Sequence, residues 1–446
     1  MIDVVRPRRL PADGALLAIA AAGLVLRILY TATVGQKVAL GISDASFYSG
    51  GANALADGQG YIDIWRTLQT GEALPTAHHP PGWPALLAAF SLAGVDTELG
   101  HRLVGCLVGG GVIFVIGLLG QRIGGRAVGL IAAGLAALHP TLVAADGSLM
   151  SETLAGLFVL IIVLAGLRVA DRPSSASAAA LGAAIGAGAL IRGELLLYSV
   201  LIVVPVAAHV ARRSRTAWRE LVRIAGLAAL GTTVMLVPWT ARNHVQLDGL
   251  VLISTNESTV LAGANCDPAF RGPGLGGWHL SCVSGEVEPI TEVEQAAVWR
   301  REGITYARDN FERLPIVAGA RVMRTWGLYQ PFPPVAEGRD EGVQTAGTAV
   351  WLAGLLPLAV VGTVLIARQR RRIELPVMLA PIGAAAIVSI VGFGMLRFRH
   401  SMELMAIVFA AVSLQAGASR LSRRSGDRRA GAMTKGDDLT TEHGKN

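Results

Sequence analysis

Apolar runs of about 18 residues or more, the length of helix that crosses a bilayer, recur along this chain of 446 residues. They begin with LLAIAAAGLVLRILYTATV and end with the stretch after His400. A backbone crossing lipid has to satisfy its own hydrogen bonds, so the pattern predicts an all-α polytopic membrane protein with about ten transmembrane helices. The candidate spans are 13–33, 101–120, 127–144, 153–169, 176–191, 195–211, 221–240, 346–367, 374–394 and 401–418. A hydrophobic share of 52% agrees. The first run follows Arg6, Arg8 and Arg9 but carries no clear small-residue cleavage site, so it reads as an uncleaved span rather than a signal peptide. Lys37, Lys435 and Lys445 are the only lysines among 39 basic residues, a usage expected of a GC-rich bacterial genome.

Arginine placement sets the orientation. The stretch PPGWPALLAAFSLAG, residues 80–94, is too short to cross and is expected to be an interfacial or re-entrant helix. If it does not cross, QRIGGR, RVADR, ARRSRTAWRELVR, RQRRR and RLSRR all fall on the side of the N-terminal RPRR, as the positive-inside rule requires. The formal charge of +7 then belongs to cytoplasmic anchors and gives no reason to invoke nucleic acid. The expected location is the cytoplasmic (inner) membrane, with both termini cytoplasmic. Residues 1–240 form an N-terminal transmembrane module with a first outer loop at 34–100. Residues 241–345 form an extracytoplasmic region, 346–418 the C-terminal transmembrane helices, and 419–446 a basic cytoplasmic tail.

The extracytoplasmic region is too small for an independent catalytic domain and reads as a cap on the membrane module. A strand is expected at LVLIST and a Gly/Pro-rich loop at FRGPGLGGW. A helix is expected over 291–313, with Val293, Ala297, Ile304 and Phe311 on one stripe. Trp326, Tyr329 and Phe332 read as an interfacial aromatic belt. Cys266 and Cys282 are either two thiols or a disulfide, closing a loop of about 17 residues and contributing ~3 kcal/mol in an oxidising compartment. Cys106 reads as packing inside a span.

The polar residues that could carry chemistry gather on the outer face. Asp44 opens a helix-like segment with Tyr48, Ala52 and Leu55 on one face; it is either an N-cap or a carboxylate placed to accept a substrate proton. His78 and His79 precede a rigid Pro-Pro pair. They lack a third metal ligand at diagnostic spacing, which leaves hydrogen bonding to a phosphate or sugar, or interfacial polarity. Glu152 sits in the first turn of a span, where the helix dipole favours it, and can also share a cavity with Asp44. Arg192 and Glu194 neutralise each other or add to that cavity. Arg397, Arg399 and His400 lie where cations benefit from an anionic partner, Glu403 or a lipid phosphate, or else snorkel at the bilayer edge. No phosphate-binding loop or dinucleotide fingerprint is present, so a soluble nucleotide donor is not supported.

One ordered series of motifs covers most of the chain: Asp44-Ala-Ser-Phe-Tyr48 with Ala54 and Gly58-Gln-Gly60, then His79-Pro-Pro-Gly-Trp-Pro84, PWTARNHVQLDGLVLISTNES, YARDNFERLPIVAGARVMRTW and RFRHSMELM. The series resembles the bacterial members of the protein O-mannosyltransferase-like glycosyltransferases, family 39, which have the GT-C fold. The resemblance implies a GT-C-like membrane enzyme with outer-face interfacial helices. Such an enzyme moves a hexosyl or pentosyl group, with inversion, from a polyprenyl-phosphate sugar to an acceptor outside the membrane. Glycan, glycolipid and protein acceptors of the cell envelope remain open. It makes Asp44 the general base, with Glu152 orienting acceptor or base. Arg399, with Arg397, would hold the donor phosphate and His79 would assist. Tyr48, His78, Arg192, Glu194, Asn243 and His400 complete the substrate-binding set. Membrane lipid is the expected surrounding partner and no cofactor is implied. Ala45 stands where many relatives carry a second acid, which weakens any divalent-metal reading, and position 152 is a glutamate where many have aspartate. A lipid-linked sugar transporter or flippase is the alternative, but it calls for polar residues deep in several spans. A catalytically silent envelope scaffold would tolerate loss of Asp44.

Overall fold

The computed structural model describes residues 13–41, 43–283, 291–330, 341–369 and 373–441. Arg6, Arg8, Arg9, Phe332 and the end of the RQRRR cluster lie outside the described residues. Within them the chain is helical, with no strand beyond an isolated bridge between Ile62 and Pro75. The elements that position the site are α1 (Gly14–Thr33), α2 (Asp44–Ala56), α3 (Gly82–Ser91), α4 (Glu98–Gly124), α5 (Arg126–Leu138), α6 (Pro140–Asp146), α7 (Glu152–Asp171), α8 (Ser175–Ala189), α9 (Ala217–Leu247), α10 (Glu292–Asp309), α11 (Leu314–Thr325), α12 (Glu374–Val391) and α13 (His400–Thr441).

Eight helices among the described residues are long and apolar enough to cross a membrane, and α5 with α6 makes a ninth if that bent pair is one span. The remaining expected span is α8, whose 15 residues extend only about 22 Å, short of a ~30 Å hydrocarbon core. The stretch 80–94 folds into α3, ten residues long.

The 63° bend between α5 and α6 has a local cause. Pro140 has no N–H to continue the helical ladder, which strands carbonyls at the end of α5. Arg27 of α1 meets them, donating to Ala136 O and Ala137 O at 3.0 Å each, while its Nε pairs with Asp146. Thr153 donates to the other oxygen of Asp146 at 2.7 Å. Arg27 is wholly buried, so the pair is tolerated because nearly every polar atom has a partner. Gly105 and Gly109 of α4 leave room for it; a Cβ at either would lie 2.1 Å from Asp146. The sequence reading missed this pair, whereas a second buried one, Arg399–Glu403 at 2.6 Å, is one of the partners it left open for the cations near the last span.

α8 lies against α9 through small residues that let the backbones touch. A Cβ on Gly182 would stand 1.9 Å from Ala228 O, and Thr232 donates across the contact to Gly182 O at 3.0 Å. Gly182→Val is therefore expected to destabilise the fold by about 1–3 kcal/mol, the usual cost of overpacking, read as a lower thermal midpoint in detergent.

Two expectations for residues 241–345 are corrected. LVLIST is not a strand, because no second strand pairs with it. Its carbonyls are instead taken up by α9 side chains: Asn243 Nδ2 donates to Val251 O (3.1 Å), Thr240 to Leu252 O (2.9 Å) and Trp239 Nε1 to Ile253 O (2.6 Å). In α10 the packed face runs through Ala296 and Gly303, not Ala297 and Ile304, which are exposed. Gly303 decides the face by meeting the backbone of Leu261, where any side chain would clash.

Cys266 and Cys282 are joined. Replacing both by serine is expected to cost ~3 kcal/mol, measured by thermal melting of the intact membrane protein. Cys106 is buried, with its sulfur 3.2 Å from the Thr31 hydroxyl.

Candidate active site

Two helices begin with an acid at one end of the bundle. Ser43 caps α2: its N–H donates to Ser46 Oγ (3.1 Å), which donates back to Ser43 O (2.8 Å). Asp44 is thus the first helical residue rather than the cap, and its carboxylate is available for tertiary contacts. Ser151 and Glu152 repeat the arrangement at the start of α7. Each carboxylate stands at the positive end of a helix dipole.

Arg397 brings them together from the other end of the chain. Its NH1 donates to Asp44 Oδ2 at 3.2 Å and its Nε lies 3.6 Å from Glu152 Oε1. Arg192 donates to the same Glu152 oxygen at 3.1 Å and pairs with Glu194. The two guanidinium groups flank the Phe398 ring at 5.7 and 5.8 Å from its centroid. Beside this cluster is an open cleft, lined by Glu152, Arg192, Glu194, Arg397, His400 and Ser401 on its polar side. Leu195, Tyr198, Pro381, Ala384, Ala385 and Val388 make its apolar wall.

On the other flank, Asp44 Oδ1 lies 3.5 Å from His79 Nε2, and His79 Nδ1 lies 3.5 Å from the Tyr48 hydroxyl. The His79 ring packs edge-on against Phe47 and Tyr48. Burial lowers the His79 pKa to about 3 despite the Asp44 charge, so the ring is neutral at pH 7. Burial by itself would raise Asp44, but the positive charge at His79, Arg397 and His78 outweighs it and holds the carboxyl at about 2. Of these three neighbours, Arg397 is the one that carries its charge across the whole pH range. Burial raises Tyr48, which stays a protonated donor.

The structure therefore gathers Asp44, Tyr48, His79, Glu152, Arg192, Glu194 and Arg397, with His400 on the cleft wall and His78 stacked edge-on against Trp65. Arg399 is directed elsewhere: it is buried, bonded to Glu403, with its guanidinium 5.1 Å from the Trp351 ring. Asn243 is buried, and its side chain holds the 250–255 loop. Sequence reasoning did not single out Phe398, although it stands between the two arginines of RFRH, or Tyr61, whose hydroxyl donates to His79 O at 3.0 Å. Among the described residues no three His, Cys, Asp or Glu side chains converge as a metal site.

Residues 78–240 match the model of the dolichyl-phosphate-mannose-protein mannosyltransferase family. Over that segment, about a third of its length, the chain is similar to that family. The matched segment contains His79, Glu152 and Arg192, while Asp44 and Arg397 lie outside it. The fold is of the GT-C type. The archaeal oligosaccharyltransferase AglB from Archaeoglobus fulgidus, solved with an inhibitory peptide and a dolichol-phosphate, superposes with a TM-score of 0.56 at 14% identity, over 94% of this chain and 51% of that one. Its apo form gives 0.56 at 14% identity, over 95% and 52%. The GT-C chain described here thus spans about half the length of AglB. ArnT from Cupriavidus metallidurans, bound to undecaprenyl phosphate, aligns over 92% of this chain and 79% of its own at 16% identity, with a TM-score of 0.44, too low to argue from. No curated protein sequence matches the chain at a significant level.

Proposed function

We propose that this protein is a membrane glycosyltransferase of the extracytoplasmic face, which moves a sugar from a polyprenyl-phosphate donor to an acceptor hydroxyl or amide with inversion. The observation that carries the reading is the pair of helix-leading carboxylates, Asp44 and Glu152, held by one arginine beside a cleft that presents the guanidinium groups of Arg192 and Arg397 among carboxylates at one end and is apolar along its wall. A lipid phosphate needs both: charge-assisted hydrogen bonds for the headgroup and apolar surface for the chain. The kinship with a dolichyl-phosphate-mannose-dependent family supports the lipid-linked donor, and the Cys266–Cys282 bond supports an oxidising compartment.

In this reading Asp44 takes the acceptor proton as the acceptor attacks the anomeric carbon. The bond from that carbon to the phosphate oxygen breaks on the opposite face, and Arg397 with Arg192 stabilises the charge that develops on the departing phosphate. A carboxylate held at about 2 is a weak base. Donor phosphate competing for Arg397 loosens the Asp44 pair and raises its basicity when the substrate is in place. Glu152, bonded to Arg192, keeps that arginine turned toward the cleft.

The test is release of free polyprenyl phosphate from a synthetic polyprenyl-phosphate sugar by the purified protein in proteoliposomes, with an envelope extract as acceptor. Acceptor-dependent release is expected. Movement of intact donor between leaflets without release would favour the transporter reading.

A further inference from the structure

The segment that carries His79 is held from outside itself. Thr76 and Ala77 are wholly buried, and the hydroxyl of the first and the N–H of the second end on one carboxylate, that of Glu292. Thr76 Oγ1 donates to Glu292 Oε2 at 2.6 Å, and Ala77 N donates to Oε1 at 3.0 Å. Thr255 Oγ1 donates to the same Oε1 at 2.8 Å, and Thr255 N donates to Ala77 O at 3.0 Å. Glu292 is the first residue of α10, immediately after the Thr291 cap, where the helix dipole favours its charge. Arg242 of α9 completes the brace, donating to Thr76 O at 2.6 Å and Tyr61 O at 2.7 Å. Three segments, each more than 150 residues later in the chain, thereby fix the two residues before His78 and His79.

The contacts this brace serves are long. His79 meets Asp44 and Tyr48 at 3.5 Å each, the edge of hydrogen-bond range. A shift of a few tenths of an ångström would break or tighten them. Loss of the Glu292 carboxylate would leave three donors without an acceptor, all of them on buried residues, and that drives the loop to rearrange.

We propose that Glu292 is a positioning residue of the sugar-transfer site: through Thr76 and Ala77 it sets His79, and through His79 the direction of the Asp44 carboxylate. The proposal rests on the reading of Asp44 as the base. It assigns to the region beyond the spans a direct hold on the first loop, so that α10 and the reacting carboxylate are linked by hydrogen bonds.

The experiment compares Glu292→Ala and Glu292→Gln with Glu302→Gln, an exposed control on the same helix, using full-length protein in proteoliposomes. Glu292→Ala is expected to lower kcat at least tenfold with the donor KM within twofold of wild type, and Glu292→Gln less, since it keeps one accepting oxygen. In a His79→Ala background, Glu292→Ala should lower kcat by less than a further twofold, because the route through His79 is already gone. Modification of His79 by diethyl pyrocarbonate, read by peptide mass spectrometry, should accelerate at least fivefold in Glu292→Ala and stay unchanged in Glu302→Gln. Fully additive losses, or His79 as protected as in wild type, would overturn the proposal. If wild type itself transfers no sugar, the glycosyltransferase reading fails, and His79 protection alone then judges the brace. Should Glu292→Ala not fold, Thr255→Val takes its place under the same criteria.

Discussion

Asp44→Asn is expected to lower the turnover of sugar transfer by about 10³-fold, within the 10²–10⁴ range by which a positioned general base accelerates a reaction. The substitution keeps the shape of the side chain and an oxygen for Arg397 to meet, so the pair at 3.2 Å is weakened rather than emptied. What it removes is the lone pair able to take a proton at neutral pH. Ser43 and Ser46 cap α2 without help from Asp44, and the melting temperature should move little. The check is the initial rate of polyprenyl phosphate release at saturating donor, with protein amount and melting measured alongside. Turnover above a tenth of wild type would remove Asp44 from the base role.

Arg397→Ala should produce the second large loss, about 10²–10³-fold in kcat/KM, by two separable routes. The departing phosphate loses a charge-assisted partner, typically among the stronger hydrogen bonds a protein offers. Asp44 also loses one of the charges that, after His79, hold its pKa at about 2. A base works only when deprotonated, so activity is lost as pH falls through its pKa. In wild type the acid limb of kcat/KM, which reports the free enzyme, should stay flat down to about pH 3. In Arg397→Ala burial is no longer opposed by that charge, the Asp44 pKa rises, and the limb moves to higher pH. In wild type the acid limb of kcat should also lie above that of kcat/KM, because donor phosphate occupies Arg397 in the complex. Coincident limbs would show that the donor leaves the Arg397–Asp44 pair intact.

The spans were legible because lipid imposes a length and a composition that no tertiary detail overrides. Asp44, His79 and Glu152 were legible as polar residues at helix starts beside apolar runs. The choice between Arg397 and Arg399 was not. They are two residues apart on a 3-10 turn, and one faces Asp44 while the other meets Glu403 one turn along. Both expectations had been open in the sequence, and ring contacts accompany the choice, Arg397 lying over Phe398 and Arg399 over Trp351. Asn243 misled for a similar reason: an amide in a motif is equally suited to a substrate and to a stranded carbonyl, and Val251 O claims it. Glu292 carried no local signal, since its partners lie 215 and 216 residues earlier.

The pairing of Asp44 with Arg397 joins residues 353 positions apart. At about 5–20 residues synthesised per second, roughly 20–70 s separate their emergence from the ribosome. For the later two-thirds of that interval the two helix-leading acids are already made, yet the cation they share is not. The nascent chain thus holds Asp44, Glu152 and Glu194 before the arginine that closes the cluster, and any pause before the last span leaves that cluster open.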